Sequence, residues 1–275
     1  DLWLHPKQGT DAALAMAIGH VILKEYFIDR QVDYFQDYCR RYTDLPLLVT
    51  LEERDGRMVA GRYLRASDFG DSLGSPGNAE WKTVGFGKDG QPVVPNGAIG
   101  FRWPGEDSPD HGKWNLEQKA SDGNEIQLSL TEIDRRDAAV DVSFPYFGGT
   151  PHTHFPANEQ GGDILTRRVP VRRVQTKNGD VLVATAFDLL CAHYGVDRGL
   201  GGQCARSFDD NIPYTPAWQE AITGVPAANA IAVARGFASN AEKTRGRSMV
   251  IIGAGMNHWF HQDMNYRSII NFLML

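Results

Sequence analysis

The 275-residue chain predicts an α/β fold, with strand-loop-helix units at both ends and a β- and loop-rich middle. Two observations carry this expectation. After a glycine-containing turn near each end, apolar residues recur at helical spacing; between the ends, apolar residues run in short strand-like blocks separated by Gly, Pro, Asp, Ser and Asn.

The opening "DLWL" reads as the tail of a strand and "HPKQG" as a turn carrying Pro6 and Gly9. Thr10 stands where an N-cap belongs and Asp11 falls in the first helical turn. Ala13, Leu14, Ala17, Ile18, Val21 and Ile22 then mark one helix, and Val32, Phe35 and Tyr38 a second from about 29 to 42. "PLLVTLE" and "MVAGRYL" follow as strands, the second opened by Asp55-Gly56. From about 66 to 123 the composition turns to loop residues, with Trp81, Trp103 and Trp114 among them, which suggests an ordered functional insertion. "EIQLSLTEI", "AVDVSFPYF", "ILTRRVPVRRVQT" and "DVLVATAF" resume strand character, the last two around Asn178-Gly179. "TPAWQEAITGV" is a helix capped by Thr215 with Pro216 at its first position, and "PAANAIAVARGFASNAEK" another opened by Pro226. "RSMVIIGAGMNHWFHQDMNYRSIINFLML" completes the chain as an apolar strand, a glycine turn and a long helix. These shifts suggest three parts: 1–65, the end of one α/β domain; 66–212, a β- and loop-rich insertion; and 213–275, the start of a second α/β domain. Both ends read as cut, so a fragment of a longer protein is expected.

Charge and composition narrow the function. With 28 Lys and Arg against 34 Asp and Glu, the net charge of -6 argues against a nucleic-acid surface. The paired arginines Arg167-Arg168 and Arg172-Arg173 read as a solvated strand face, with an anion site as the alternative. Cys39, Cys191 and Cys204 are far apart and form no C-x-x-C, which points to reduced thiols. No apolar run is long enough to span a bilayer.

The turns at residues 5–11 and 253–258 stand out as ligand sites, because open α/β sheets bind ligands at strand-to-helix junctions. "GAGMNH" starts like a dinucleotide fingerprint at Gly253 and Gly255, but residue 258 is His where Gly or Ala is required. Asn257 and His258 sit where they can face a ligand, His258 alternatively as a cap; His258 with His261 lacks a third metal ligand. Thr10 is a cap or a ligand contact, and Asp11 a partner for a guanine edge or a charge opposing the helix dipole. His152 and His154 in "PHTHF" read as a loop rather than a metal pair. There is no G-x-S-x-G, Walker loop or H-E-x-x-H, so hydrolase and kinase chemistry have no anchor.

Taken together, "LWLHPKQGTDAALAMAIGHVILKEYFIDRQVDYFQDYCRRYTDLPLLVTLEERDG", "EWKTVGF", "PNGAIGFRW", "GKWNLEQ", "FPYFGG", "YTPAWQEAITGVP" and "RGRSMVIIGAGMNHWFHQDMNYR" resemble the alpha subunits of membrane-bound respiratory nitrate reductases. These belong to the molybdopterin oxidoreductase family related to dimethyl sulfoxide reductase. The resemblance covers nearly the whole chain and implies an internal portion of that multidomain fold. It implies a catalytic subunit that reduces nitrate to nitrite in anaerobic respiration, with molybdenum held by two molybdopterin guanine dinucleotides. It further implies a 4Fe-4S cluster whose ligands, like the molybdenum-ligating aspartate, lie upstream of residue 1, and inactivity of the segment alone. An iron-sulfur beta subunit and a membrane haem b gamma subunit are the implied partners, at the cytoplasmic face of the membrane. Carried over by residue, Gln8, Gly9, Thr10 and Asp11 match a guanine-nucleotide contact. Gly253, Gly255, Asn257 and His258 match the turn near the pterin and the substrate funnel, with His258 nearest nitrate. Sister enzymes acting on chlorate, selenate or nitrite are the near alternative; a nicotinamide dehydrogenase and a non-catalytic α/β scaffold are the distant ones.

Overall fold

A computed structural model describes residues 2–73, 79–95, 124–146, 164–259 and 262–275. The described chain forms two compact units. One comprises Asp1–Gln36, Phe144–Arg167 and Cys191–Leu275; the other comprises Asp37–Ser143 and Arg168–Leu190. Residues from both ends of the chain therefore share one unit, a grouping that composition along the chain does not reveal. Much of the tryptophan-bearing stretch, with Trp103 and Trp114, lies outside the described residues, as do His152 and His154.

The first unit is helical and centres on α1 (Asp11–Ile22). Ala13, Ala15, Met16, Ala17, Ile18, Val21 and Ile22 are all buried, so this helix is covered on nearly every side. It packs against α4 (Pro216–Thr223), α5 (Ala227–Thr244) and α6 (Gln262–Leu273). Small residues permit the close approach. A Cβ on Gly19 would come within 2.7 Å of the Tyr194 ring. α1 continues directly into a π-helical stretch, Leu23–Asp29, and α2 is confined to Asp33–Tyr42, so the helix expected from about residue 29 starts later. The π stretch is clamped to α5: Arg235 grips Glu25 through Nε and Nη2, Arg30 grips Glu242 bidentately, and the Tyr26 hydroxyl meets Ser239 Oγ at 2.6 Å. Widened helical turns of this kind persist where side-chain partners hold them.

α4 is built as its sequence predicts. Thr215 accepts a hydrogen bond from the Trp218 N–H at 3.1 Å, Pro216 is the first helical residue, and Gly224 closes the helix in the left-handed region. Gly195 is left-handed too, at φ 69°, and a Cβ there would lie 2.8 Å from the Pro213 carbonyl oxygen. Gly195→Ala is therefore expected to cost about 2 kcal/mol, from backbone strain and displaced backbone together. A lowered denaturation midpoint for this unit in the complete subunit checks it, and an unchanged midpoint would refute it.

The second unit is a closed five-stranded barrel in the order β1 (Leu48–Arg54), β2 (Arg57–Tyr63), β5 (Ala138–Pro145), β6 (Ile164–Thr176) and β7 (Gly179–Thr185). β3 (Gly85–Phe86) and β4 (Pro92–Val93) form a separate short pair, and α3 (Ala186–His193) follows β7. Leu48, Leu64, Val84, Phe86, Val174 and Val183 fill a shared core. The β1–β2 turn uses Asp55 at φ 50° and Gly56 at φ 72°, and Gly179 at φ 111° turns β6 into β7.

Three expectations need correction. "EIQLSLTEI" is not a strand: Leu128 makes one isolated bridge with Gly87, and Ile133–Arg135 is a 3-10 turn. Its alternating residues Leu128 and Leu130 are buried singly, with no partner strand among the described residues to extend the ladder. Neither "DLWL" nor "SMVII" forms a strand either. Trp3 is 81% and Ile251 84% exposed, and the described residues offer these runs no sheet to join. The paired arginines do not form one solvated face. Arg168 and Arg173 point outward, whereas Arg167 is buried and donates to the Gln203 and Pro213 carbonyls, and Arg172 reaches the buried carboxylate of Glu132. Alternation along β6 separates each pair.

The three cysteines are thiols, as expected. Among the described residues, no helix is long and apolar enough to cross a membrane.

Candidate functional site

The first turn is built around Lys7. Its carbonyl accepts from the Thr10 N–H at 3.1 Å and from the Thr10 hydroxyl at 2.6 Å, while its own N–H donates to the Thr223 carbonyl at 3.0 Å. This ties the turn to the end of α4. Gly9 sits at φ 76°, a conformation that disfavours other residues there. Gln8 and Gly9 are exposed, and Thr10 and Asp11 half-buried.

Thr10 occupies the N-cap position of α1 but makes no side-chain cap; its hydroxyl is turned to the Lys7 carbonyl, to which it donates. The cap comes from a residue far away in sequence: Asn265 on α6 accepts from the Ala12 N–H through Oδ1 at 3.1 Å. Asn265 is buried with Ser268, Ile269 and Phe272, one stripe at spacings of three and four. A lone amide in such a stripe was the sequence signal for it.

The second turn begins at Gly253, whose carbonyl accepts from the Met256 N–H at 3.3 Å, and runs as a 3-10 helix over Ala254–His258. Space is open beside the α-carbons of Gly253 and Gly255, and the His258 side chain is exposed. Asn257 lies within the same helical turn. His261 lies outside the described residues. Among the described residues, no three His, Cys, Asp or Glu side chains group to hold a metal.

The two turns are neighbours. The Trp259 ring lies against Gly9, with Cε3 at 3.8 Å from where a Cβ on Gly9 would stand, and Trp259 is 46% exposed. The fold thus brings residues 8–11 beside the turn that carries 253–258, across almost the whole chain. Trp259, Lys7 and Asn265 complete this region and were not singled out by sequence reasoning.

A large organic cofactor fits what is there: an exposed turn at Gln8 and Gly9 followed by the half-buried carboxylate of Asp11, two glycines with open space, and a buried amide donor, Asn265 Nδ2, left without a partner among the described residues. Buried donors of this kind ordinarily have an acceptor.

Comparison with known proteins agrees. The chain is 54% identical over its whole length to the respiratory nitrate reductase 1 alpha chain of Escherichia coli K12, covering 22% of that protein. It is 39% identical to the nitrate reductase alpha chain of Bacillus subtilis 168, again over its whole length and 21% of that protein. Similarity to the perchlorate reductase alpha subunit of Dechloromonas aromatica RCB is 25%, over 98% of the chain and 21% of that subunit. The chain therefore spans about a fifth of the length of these relatives. The sequence model of the molybdopterin oxidoreductase family matches residues 1–275 throughout, and with the two adjoining turns already in place, the chain belongs to that family.

Proposed function

We propose that this chain is part of the catalytic alpha subunit of a respiratory nitrate reductase, reducing nitrate to nitrite. The observation that carries the site is the contact between Trp259 and Gly9, which joins the turns at 8–11 and 253–258. The relatives support nitrate as the substrate: nitrate reductase alpha chains reach 54% and 39% identity, while a perchlorate reductase stands at 25%. That weaker likeness makes a sister oxyanion reductase the second reading.

When bound, a bis-molybdopterin guanine dinucleotide supplies two-electron oxygen-atom transfer at molybdenum. The chain's residues bind and orient. Asp11 accepts paired hydrogen bonds from a guanine edge, with Gln8, Gly9 and Thr10 shaping the turn around it. Gly253 and Gly255 keep space open for the pterin, and His258, with Asn257 preceding it in the same turn, is assigned to the substrate side, where His258 can offer a ring N–H to an oxyanion. In the intact enzyme we place a 4Fe-4S cluster outside this chain, and an iron-sulfur beta subunit and a haem b gamma subunit as partners at the cytoplasmic face of the membrane.

The test is reduced-viologen turnover of nitrate, chlorate and selenate by the complete subunit with its partners, for wild type, Asp11→Ala and His258→Ala. Asp11→Ala is expected to lose guanine nucleotide and molybdenum. His258→Ala should keep both and slow nitrate turnover about 10²-fold, the scale of a positioned hydrogen-bond donor. Preferred turnover of another oxyanion would replace the substrate, and full occupancy and rate in both variants would remove the site.

A further inference from the structure

Asn265 has one amide atom engaged and one without a partner, and this asymmetry is informative. Its Oδ1 accepts from the Ala12 N–H at 3.1 Å. A backbone N–H can only donate, so the amide orientation is fixed and Nδ2 must point the other way. Nδ2 is buried and finds no acceptor among the described residues, on a side chain only 3% exposed. The cap on Ala12 accounts for Oδ1 alone; it does not explain a buried donor left unmet on the other side of the amide, which is costly.

The start of α1 indicates what the acceptor is. The N–H groups of Thr10, Ala12 and Ala13 already donate to Lys7 O, Asn265 Oδ1 and Thr10 O. A phosphate at a helix N-terminus relies on several such N–H groups, and here only that of Asp11 has no acceptor among the described residues, beside a carboxylate that repels an anion, so this start suits a base edge better. A guanine edge presents a carbonyl acceptor and N–H donors, whereas adenine presents an amino donor in place of the carbonyl. Asp11, adjacent to Ala12 in the chain, provides the carboxylate for the donors.

We propose that Asn265 is a nucleotide-binding residue that selects guanine: Oδ1 fixes the first turn of α1, and Nδ2 donates to the guanine carbonyl oxygen of the bound cofactor. This rests on the nucleotide-binding reading of residues 8–11 given above.

Asn265→Asp separates the two functions of the amide. It keeps an acceptor for Ala12, placed favourably at a helix N-terminus, and removes the donor. In the complete subunit with its partners, at about pH 8 where carboxyls are ordinarily ionised, three quantities are measured for wild type, Asn265→Asp, Asn265→Ala and Asp11→Ala. They are guanine nucleotide per subunit after dialysis and acid release, molybdenum content, and amide exchange in α1. Asn265→Asp is expected to keep wild-type protection in α1 and to retain about tenfold less guanine nucleotide, while Asn265→Ala loses both. Full nucleotide retention in Asn265→Asp overturns the inference and leaves Asn265 as a clamp on α1. Retention in Asp11→Ala as well overturns the nucleotide reading of residues 8–11 with it; loss in Asp11→Ala alone leaves that reading intact. Should Asn265→Asp fail to assemble, an experimental structure of the loaded wild-type enzyme decides. Nδ2 within about 3.2 Å of the guanine carbonyl supports the inference, and a phosphoryl or protein oxygen in that place overturns it.

Discussion

Glu132→Ala is expected to destabilise the barrel unit by about 3–5 kcal/mol, the cost of stranding a buried charge. Glu132 is 1% exposed, and its two oxygens divide between two arginines: Oε1 accepts from Arg135 Nη2 at 2.9 Å and Oε2 from Arg172 Nη1 at 3.1 Å. Arg172 is held from three sides, by this carboxylate, by the Gly90 carbonyl at 2.8 Å and by the Phe86 ring, whose centroid lies 4.3 Å below the guanidinium. Removing Glu132 leaves that guanidinium beside an aromatic ring and one carbonyl, with its buried Nε still without a partner among the described residues. The backbone adds to the effect. Asp188, itself fully buried, accepts from the Thr131 hydroxyl at 2.5 Å and the Glu132 N–H at 3.0 Å, so the segment carrying Glu132 is fastened at two successive residues.

A second variant separates the ion pair from packing. Glu132→Ala combined with Arg172→Leu removes the carboxylate and the more buried of its two arginines, and the pair is expected to cost less together than Glu132→Ala alone, because the cation left behind, Arg135, is partly exposed and still donates to the Lys88 carbonyl. The measurement is amide exchange in β6 within the complete subunit, for both single variants and the double. If the double variant exchanges as the sum of the singles, the two groups are uncoupled and the proposed basis of the effect is wrong.

The degree to which this fold is written in the sequence follows from the range of the interactions involved. β6 and β7 are legible because alternation and an Asn178-Gly179 turn are local signals, and α4 because Thr215, Pro216 and Gly224 mark its start and end within ten residues. "SMVII" reads as a strand by composition and forms none, since a strand needs a neighbour that local composition does not supply. The cap on α1 is hidden for the opposite reason: Thr10 is a good cap by type, but its hydroxyl turns to Lys7, and Asn265, 253 positions from the Ala12 N–H it accepts, takes over. The residues proposed for the site, Gln8 to Asp11 and Gly253 to His258, came from turn chemistry and family likeness. Their adjacency is tertiary information, carried by Trp259 against Gly9.

Acid is expected to loosen the helical unit as pH falls from about 6.5 toward about 4. His20 and His193 are both buried, and desolvation, with smaller contributions from the Arg167 guanidinium and, for His20, Lys24, lowers each to about 4. His20 offers Nδ1 to the Tyr194 carbonyl at 2.8 Å, a contact that opposes the shift without cancelling it. The unfolded chain binds a proton at each ring near pH 6.5, whereas the folded unit resists until about pH 4. Between those values the unfolded state carries more protons, so stability rises with pH. The contribution is complete above about pH 6.5 and is lost as pH falls toward about 4, by up to about 3 kcal/mol for each ring. His20→Gln retains a side-chain donor for the Tyr194 carbonyl and carries no ionisable ring. Between about pH 7 and about pH 5 it should lose about half as much stability as the wild type, because one of the two titrating rings is gone. Amide exchange in α1, corrected for the intrinsic effect of pH, reads this directly. Equal protection of the wild-type helix at about pH 7 and about pH 5 would show that the two rings are hydrated or paired in the folded enzyme, and that burial does not set their protonation.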